Sequence, residues 1–155
     1  MSKFKELLKQ ANNRKPILEN TYGNFPVEIA DQCGEGEIAE IIATLDRLHI
    51  EKQEIADWDG DSQDDIWKVQ RGYYQLLARL TQTYPRQIAL GLRSRYSSTR
   101  FYTALAFSKS PTVDAIPDLE EYLLLETSHR NYMTGKKALK ACTSKIGLFR
   151  RLFGR

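Results

Sequence analysis

Asp57, Asp59 and Asp61 alternate along the stretch DWDGDSQDD (57–65), at the i, i+2 and i+4 spacing by which calcium loops present oxygen ligands. Counted from Asp57, the sixth position is Ser62 in place of the turn glycine, and the twelfth is Lys68 in place of a bidentate Glu. These departures remove the geometry of tight calcium binding, so no metal site is expected here, and no cofactor is implied anywhere in the chain. A solvated loop that sets negative charge ahead of a helix accounts for the carboxylates, because the helix dipole favours acids at its start. Trp58 is harder to account for in that way. An aromatic side chain among exposed acids is the kind of anchor that protein interfaces use, and carboxylates around it would steer a basic partner. The candidate partner-binding residues are therefore Glu51, Glu54, Asp57, Trp58, Asp59, Asp61, Asp64 and Asp65.

A second set lies downstream. Arg71, Arg79, Arg93, Arg95 and Arg100, with Tyr74, Tyr96 and Tyr102 near them, carry the charge and the ring surfaces that a nucleic-acid-binding groove needs. The alternative for the same residues is ordinary: tyrosines packed between helices and arginines on solvated faces. Catalysis finds little to work with. His49 and His129 are the two imidazoles, neither adjoins a Ser or Cys motif, and there is no H-x-x-x-H, C-x-x-C, phosphate-binding loop or G-x-G-x-x-G. The chain reads as a non-enzyme. Cys33 and Cys142 are solitary and far apart in sequence, which fits buried thiols in a reduced, cytoplasmic setting better than a disulfide.

The elements that must position these groups are helical. Phe4, Leu7, Leu8 and Ala11 predict a short first helix after Ser2, and residues 27–33 predict another. Ile38, Ile41, Ile42, Leu45 and Leu48 line one face of a firmer helix over 36–56. The next, over 62–81, buries Ile66, Val69, Tyr73, Leu76, Leu77 and Leu80, with Ser62 and Asp65 predicting a capping box at its start. Two further hairpins are expected, 86–94 with 98–109 and 115–126 with 133–146, each opened by a Pro. A basic and apolar tail over 147–155 follows, which is expected either to cap the last hairpin or to lie on a membrane surface. No apolar run approaches the roughly 20 residues that span a bilayer, and the N-terminus has no secretory apolar core.

One segmental feature stands out against an ordinary composition. Residues 35–65 carry two Lys/Arg against eleven Asp/Glu, whereas 66–155 carry sixteen against five. An acidic block is thus joined to a basic body, and the overall charge of +3 conceals both.

The two hairpins repeat a pattern. PRQIALGLRSRYSSTRFYTALAFSKS is answered by PDLEEYLLLETSHRNYMTGKKALKACTS, with Thr103-Ala104-Leu105 standing 34 residues before Lys137-Ala138-Leu139. Tyr73–Ala78 resembles Phe101–Ala106, 28 residues later, as a degenerate third copy. Over residues 36–146 the pattern resembles HEAT-type repeats, which implies an all-α fold of antiparallel hairpins stacked as a short solenoid. It departs from them where Ser97-Ser98-Thr99 and Ser128-His129-Arg130 stand in the expected turns. The whole is expected to be one helical domain: 1–35 an N-terminal helix and irregular segment, 36–146 the hairpins, and 147–155 the tail. Small all-helical proteins of this build also resemble bacterial immunity proteins, which neutralise antibacterial toxins. That resemblance implies a protein-binding module whose partner is a basic toxin domain. The alternative is a helical-repeat protein that binds nucleic acid through the basic half.

Overall fold

The computed structural model describes Glu6 and residues 30–153. Helical conformation accounts for 82% of the described residues, and none of them is in a strand. From Glu35 to Phe153 six α-helices follow in order among the described residues: α1 (Glu35–Glu54), α2 (Gly60–Leu80), α3 (Pro85–Ala89), α4 (Ser97–Lys109), α5 (Ile116–Leu125) and α6 (His129–Phe153). Short 3-10 turns at Leu90–Arg93 and Val113–Ala115 continue α3 and introduce α5. Apart from Glu6, which is helical, the predicted first helix lies outside the described residues. Of the one predicted over 27–33, Ala30 is helical, and a turn follows in which the Cys33 N–H donates to the Ala30 carbonyl.

Local chemistry explains most of the boundaries. Glu37 reaches back so that its Oε2 accepts the Gly34 N–H at 2.9 Å, satisfying a backbone donor at the start of α1. The expected capping box at Ser62 does not set the start of α2. The cap is Asp59, whose carboxylate accepts the Ser62 N–H at 3.2 Å, and the helix begins at Gly60. A carboxylate is the better acceptor for those first N–H groups, so the earlier residue wins. Pro85 opens α3 from the position where its missing N–H costs nothing. Ser97-Ser98-Thr99, read as a turn, instead forms the first turn of α4, and the chain reverses at Ser94–Tyr96. Likewise α6 starts at His129, four residues before the expected 133, and continues without a break through the predicted tail to Phe153.

The helix faces follow the apolar spacing. Ile38, Ile41, Leu45 and Leu48 of α1 and Ile66, Val69, Tyr73, Leu76, Leu77 and Leu80 of α2 are all buried. Each such side chain removed from water contributes about 2 kcal/mol before entropy is counted. At the centre is α4, which packs against α1, α2 and α6. It buries residues nearly all round, and Ala104 and Ala106 keep it narrow enough for neighbours to approach on several sides.

Glycine permits two close approaches between neighbouring elements. A Cβ built on Gly91 would lie 2.2 Å from Thr103 Oγ1, and one on Gly135 would lie 2.4 Å from Tyr122 Cε1. The backbone preceding α4 and the backbone of α6 therefore come closer to their neighbours than any side chain allows. Cys33 and Cys142 are both buried, and burial pushes the Cys33 thiol up to about 11. Among the described residues, no helix is long and apolar enough to cross a membrane.

Candidate functional site

Three surfaces gather polar chemistry, and they differ in how much of it is already used. The first is the acidic turn between α1 and α2. Ile55 ends α1 in extended backbone, and the Asp59 N–H closes a tight turn on the Ala56 carbonyl at 2.9 Å. The turn holds Trp58 outward, 88% exposed. Asp57, Asp61, Asp64 and Asp65 are exposed around it, Glu54 is exposed at the end of α1, and Asp59 is engaged as the helix cap. Glu51 is half-buried and pairs with Arg47 one turn back, Nε to Oε1 3.9 Å. The eight candidate residues thus form one continuous feature, consisting of the last turn of α1, the loop and the first two turns of α2. Among the described residues, no group of three or more His, Cys, Asp or Glu side chains is arranged to hold a metal ion.

The second surface is a groove of about 450 Å³ lined in part by Arg93, Arg100, Asp118, Glu121 and Glu126. Here the basic candidates are largely neutralised. Arg93 Nη2 lies 2.8 Å from Glu121 Oε2 and 3.5 Å from Asp118 Oδ1. Arg100 makes a two-pronged contact with Glu126, through Nε at 2.8 Å and Nη2 at 3.3 Å, and its Nη1 donates to the Ser94 carbonyl at 2.9 Å. The Glu126 side chain is fully buried and that of Arg100 is 21% exposed. Burial alone would raise the Glu126 carboxyl. The Arg100 guanidinium, the Ser128 N–H and the Asn131 side chain outweigh it and hold the group below the usual range.

The remaining arginines are not brought together with this pair. Arg71 stands over the Trp67 ring at 5.5 Å, Arg95 over Tyr96 at 5.4 Å, and Arg79 is exposed near the end of α2. Tyr74 and Tyr102, offered as stacking surfaces, are buried 6.1 Å apart, ring centre to ring centre.

The third surface was invisible in the sequence. A cleft of about 430 Å³ opens between the C-terminal half of α1, the N-terminal half of α2 and the first turns of α4 and α6. His49 Nδ1 lies 2.6 Å from Ser98 Oγ across 49 residues of chain. Burial lowers the imidazole pKa, only partly opposed by Asp46, while Arg100 and Lys52 lower it further. Asp46 does not orient His49. Its Oδ1 accepts from Ser94 Oγ and Thr99 Oγ1, both at 2.6 Å, and pins the start of α4 to α1. Asn131 ties the other wall by donating from Nδ2 to the Ser97 carbonyl at 2.9 Å. No local motif signals this cleft, because its walls come from four helices and its pairs are separated by tens of residues.

Comparison of the chain with family models, with curated proteins and with solved structures gives no match in any of the three.

Proposed function

We propose that this chain is a non-enzymatic protein-binding module that grips a basic protein surface through the acidic turn between α1 and α2. The observation that carries the reading is Trp58, 88% exposed at the tip of a turn whose neighbouring carboxylates face solvent. A large ring held out of the core gains nothing for folding. Buried in a partner, it becomes the sort of anchor that dominates interface energetics, and the acids around it accelerate encounter with positive charge. In its most specific form the module is an immunity protein that neutralises a basic toxin domain, built as a short HEAT-like stack in which α2, α4 and α6 form one layer. The competing nucleic-acid reading loses ground because Arg93 and Arg100 already hold carboxylates.

The test is affinity capture from a native lysate, followed by titration of the captured protein against the wild type and two variants. Trp58→Ala should weaken binding by about 2 kcal/mol or more, which is roughly thirtyfold in Kd. Asp57→Asn with Asp61→Asn and Asp64→Asn should slow association and flatten its salt dependence, with little change in dissociation. Generic single- and double-stranded nucleic acid, titrated in parallel, should show no saturable binding. If both variants bind the captured protein like the wild type, the acidic turn is not the docking surface.

A further inference from the structure

The cleft between α1, α2, α4 and α6 contains a buried polar group with no counterpart. Gln70 lies on its wall, is 1% exposed, and its Nε2 has no hydrogen-bond partner. An amide N–H group withdrawn from water with no acceptor costs about 1–3 kcal/mol, and such groups are rare unless something else completes them. Replacing Gln70 by an apolar residue of similar size would remove that cost, so folding alone does not explain the side chain.

The rest of the wall indicates what would complete it. Trp67, Phe101 and Tyr102 supply ring surface, and Phe101 already carries the Arg130 guanidinium 3.8 Å from its ring centre. No acidic side chain lines the cleft, whereas Lys52 and Arg130 both do. Ser97 and Ser98 bring in the N-terminus of α4, a helix of 13 residues with no side-chain cap and no acid in its first turn. The N–H groups there, together with the helix dipole, make a seat for an anion. Its volume of about 430 Å³ falls in the range of about 300–1,000 Å³ that small-molecule sites occupy.

We infer that this cleft binds a nucleoside monophosphate, with the phosphate at the first turn of α4 beside Arg130 and the base edge on the Gln70 amide among the aromatic rings. An amide offers a donor and an acceptor side by side, the pair that matches N7 and the 6-amino group of adenine; adenosine monophosphate is therefore the preferred form. The site is separate from the Trp58 surface, and either can hold without the other.

Calorimetry on the full chain with adenosine monophosphate, adenosine and inorganic phosphate tests the inference. The nucleotide should bind saturably, with adenosine and phosphate each at least about tenfold weaker, since each lacks one set of contacts. Gln70→Leu should weaken the nucleotide about tenfold and leave phosphate unchanged. Ser97→Asp, at an exposed position, should abolish binding of nucleotide and phosphate alike while preserving the melting temperature, because a carboxylate suits a helix start but excludes an anion. That last variant separates loss of the site from loss of the fold. The inference is overturned if the nucleotide fails to saturate at millimolar concentration, if phosphate alone binds as well, or if both variants bind like the wild type. Single-stranded oligonucleotides whose affinity grows with length would also overturn it, by showing an open groove in place of a closed site.

Discussion

The turn between α1 and α2 and the groove between α4 and α5 are both dense in charge, and they use it in opposite ways. Around Trp58, Glu54, Asp57, Asp61, Asp64 and Asp65 face water, while Asp59 caps a helix and Glu51 pairs with Arg47. In the groove, three of the five acids in residues 66–155 are spent on two arginines. The turn at the end of the acidic segment therefore presents its charge outward. The basic segment, despite its larger excess, has turned part of that charge into structure. Segmental net charge counts residues; it does not say which of them are free.

The sharpest way to break this contrast is to remove one partner of the buried pair. Glu126→Ala leaves the Arg100 guanidinium without its carboxylate and should destabilise the protein by about 3–5 kcal/mol, read as a lower urea midpoint. The same pair sets an acid limit. The folded-state pKa of Glu126 is depressed, so its contribution is present above the ordinary carboxylate pKa. It is lost as pH falls from there through the folded value. Stability measured from pH 6 downward should drop below about pH 4.5, and in Glu126→Gln that part of the drop should disappear. Equal acid sensitivity in wild type and variant would show that the pair is not what distinguishes the two regions.

Glycine substitutions give the next largest effect and sharpen the same comparison sterically. Gly91→Ala and Gly135→Ala force a methyl group against Thr103 and Tyr122, which should cost about 1–3 kcal/mol each. Gly60→Ala, at the start of α2, meets nothing within 4 Å. It should be neutral, or stabilising by up to about 1 kcal/mol. Thermal melts of the three variants should separate the packed region from the open one.

Within the acidic turn, Asp59→Ala should cost about 1 kcal/mol, because the cap on the Ser62 N–H is lost. The smallest effect is expected at its neighbours. Asp57→Asn and Asp61→Asn should each change stability by less than about 0.5 kcal/mol, as surface changes without a structural partner do. If either matched Asp59→Ala in an unfolding titration, the turn would be carrying structure instead of presenting a surface.

The sequence alone determined the helices and their inward faces. Period 3.6 is written in Ile38, Ile41, Leu45 and Leu48 and in Ile66, Val69, Tyr73, Leu76, Leu77 and Leu80, and burial follows it because apolar area drives packing whatever the neighbours are. It also marked the acidic turn, since nine consecutive residues with five carboxylates and one indole are local information. Helix starts were less legible. Asp59 outcompeted Ser62 as a cap, and Ser97 and His129 begin helices where turns were expected, because a cap depends on which acceptor reaches the free N–H groups. Only the tertiary structure decided that Arg100 meets Glu126, that His49 meets Ser98, and that Gln70 lies unpartnered in a cleft. Those facts depend on helix packing across 26 and 49 residues of chain. No spacing along the sequence encodes such a distance, because it is set by how four helices lean on one another.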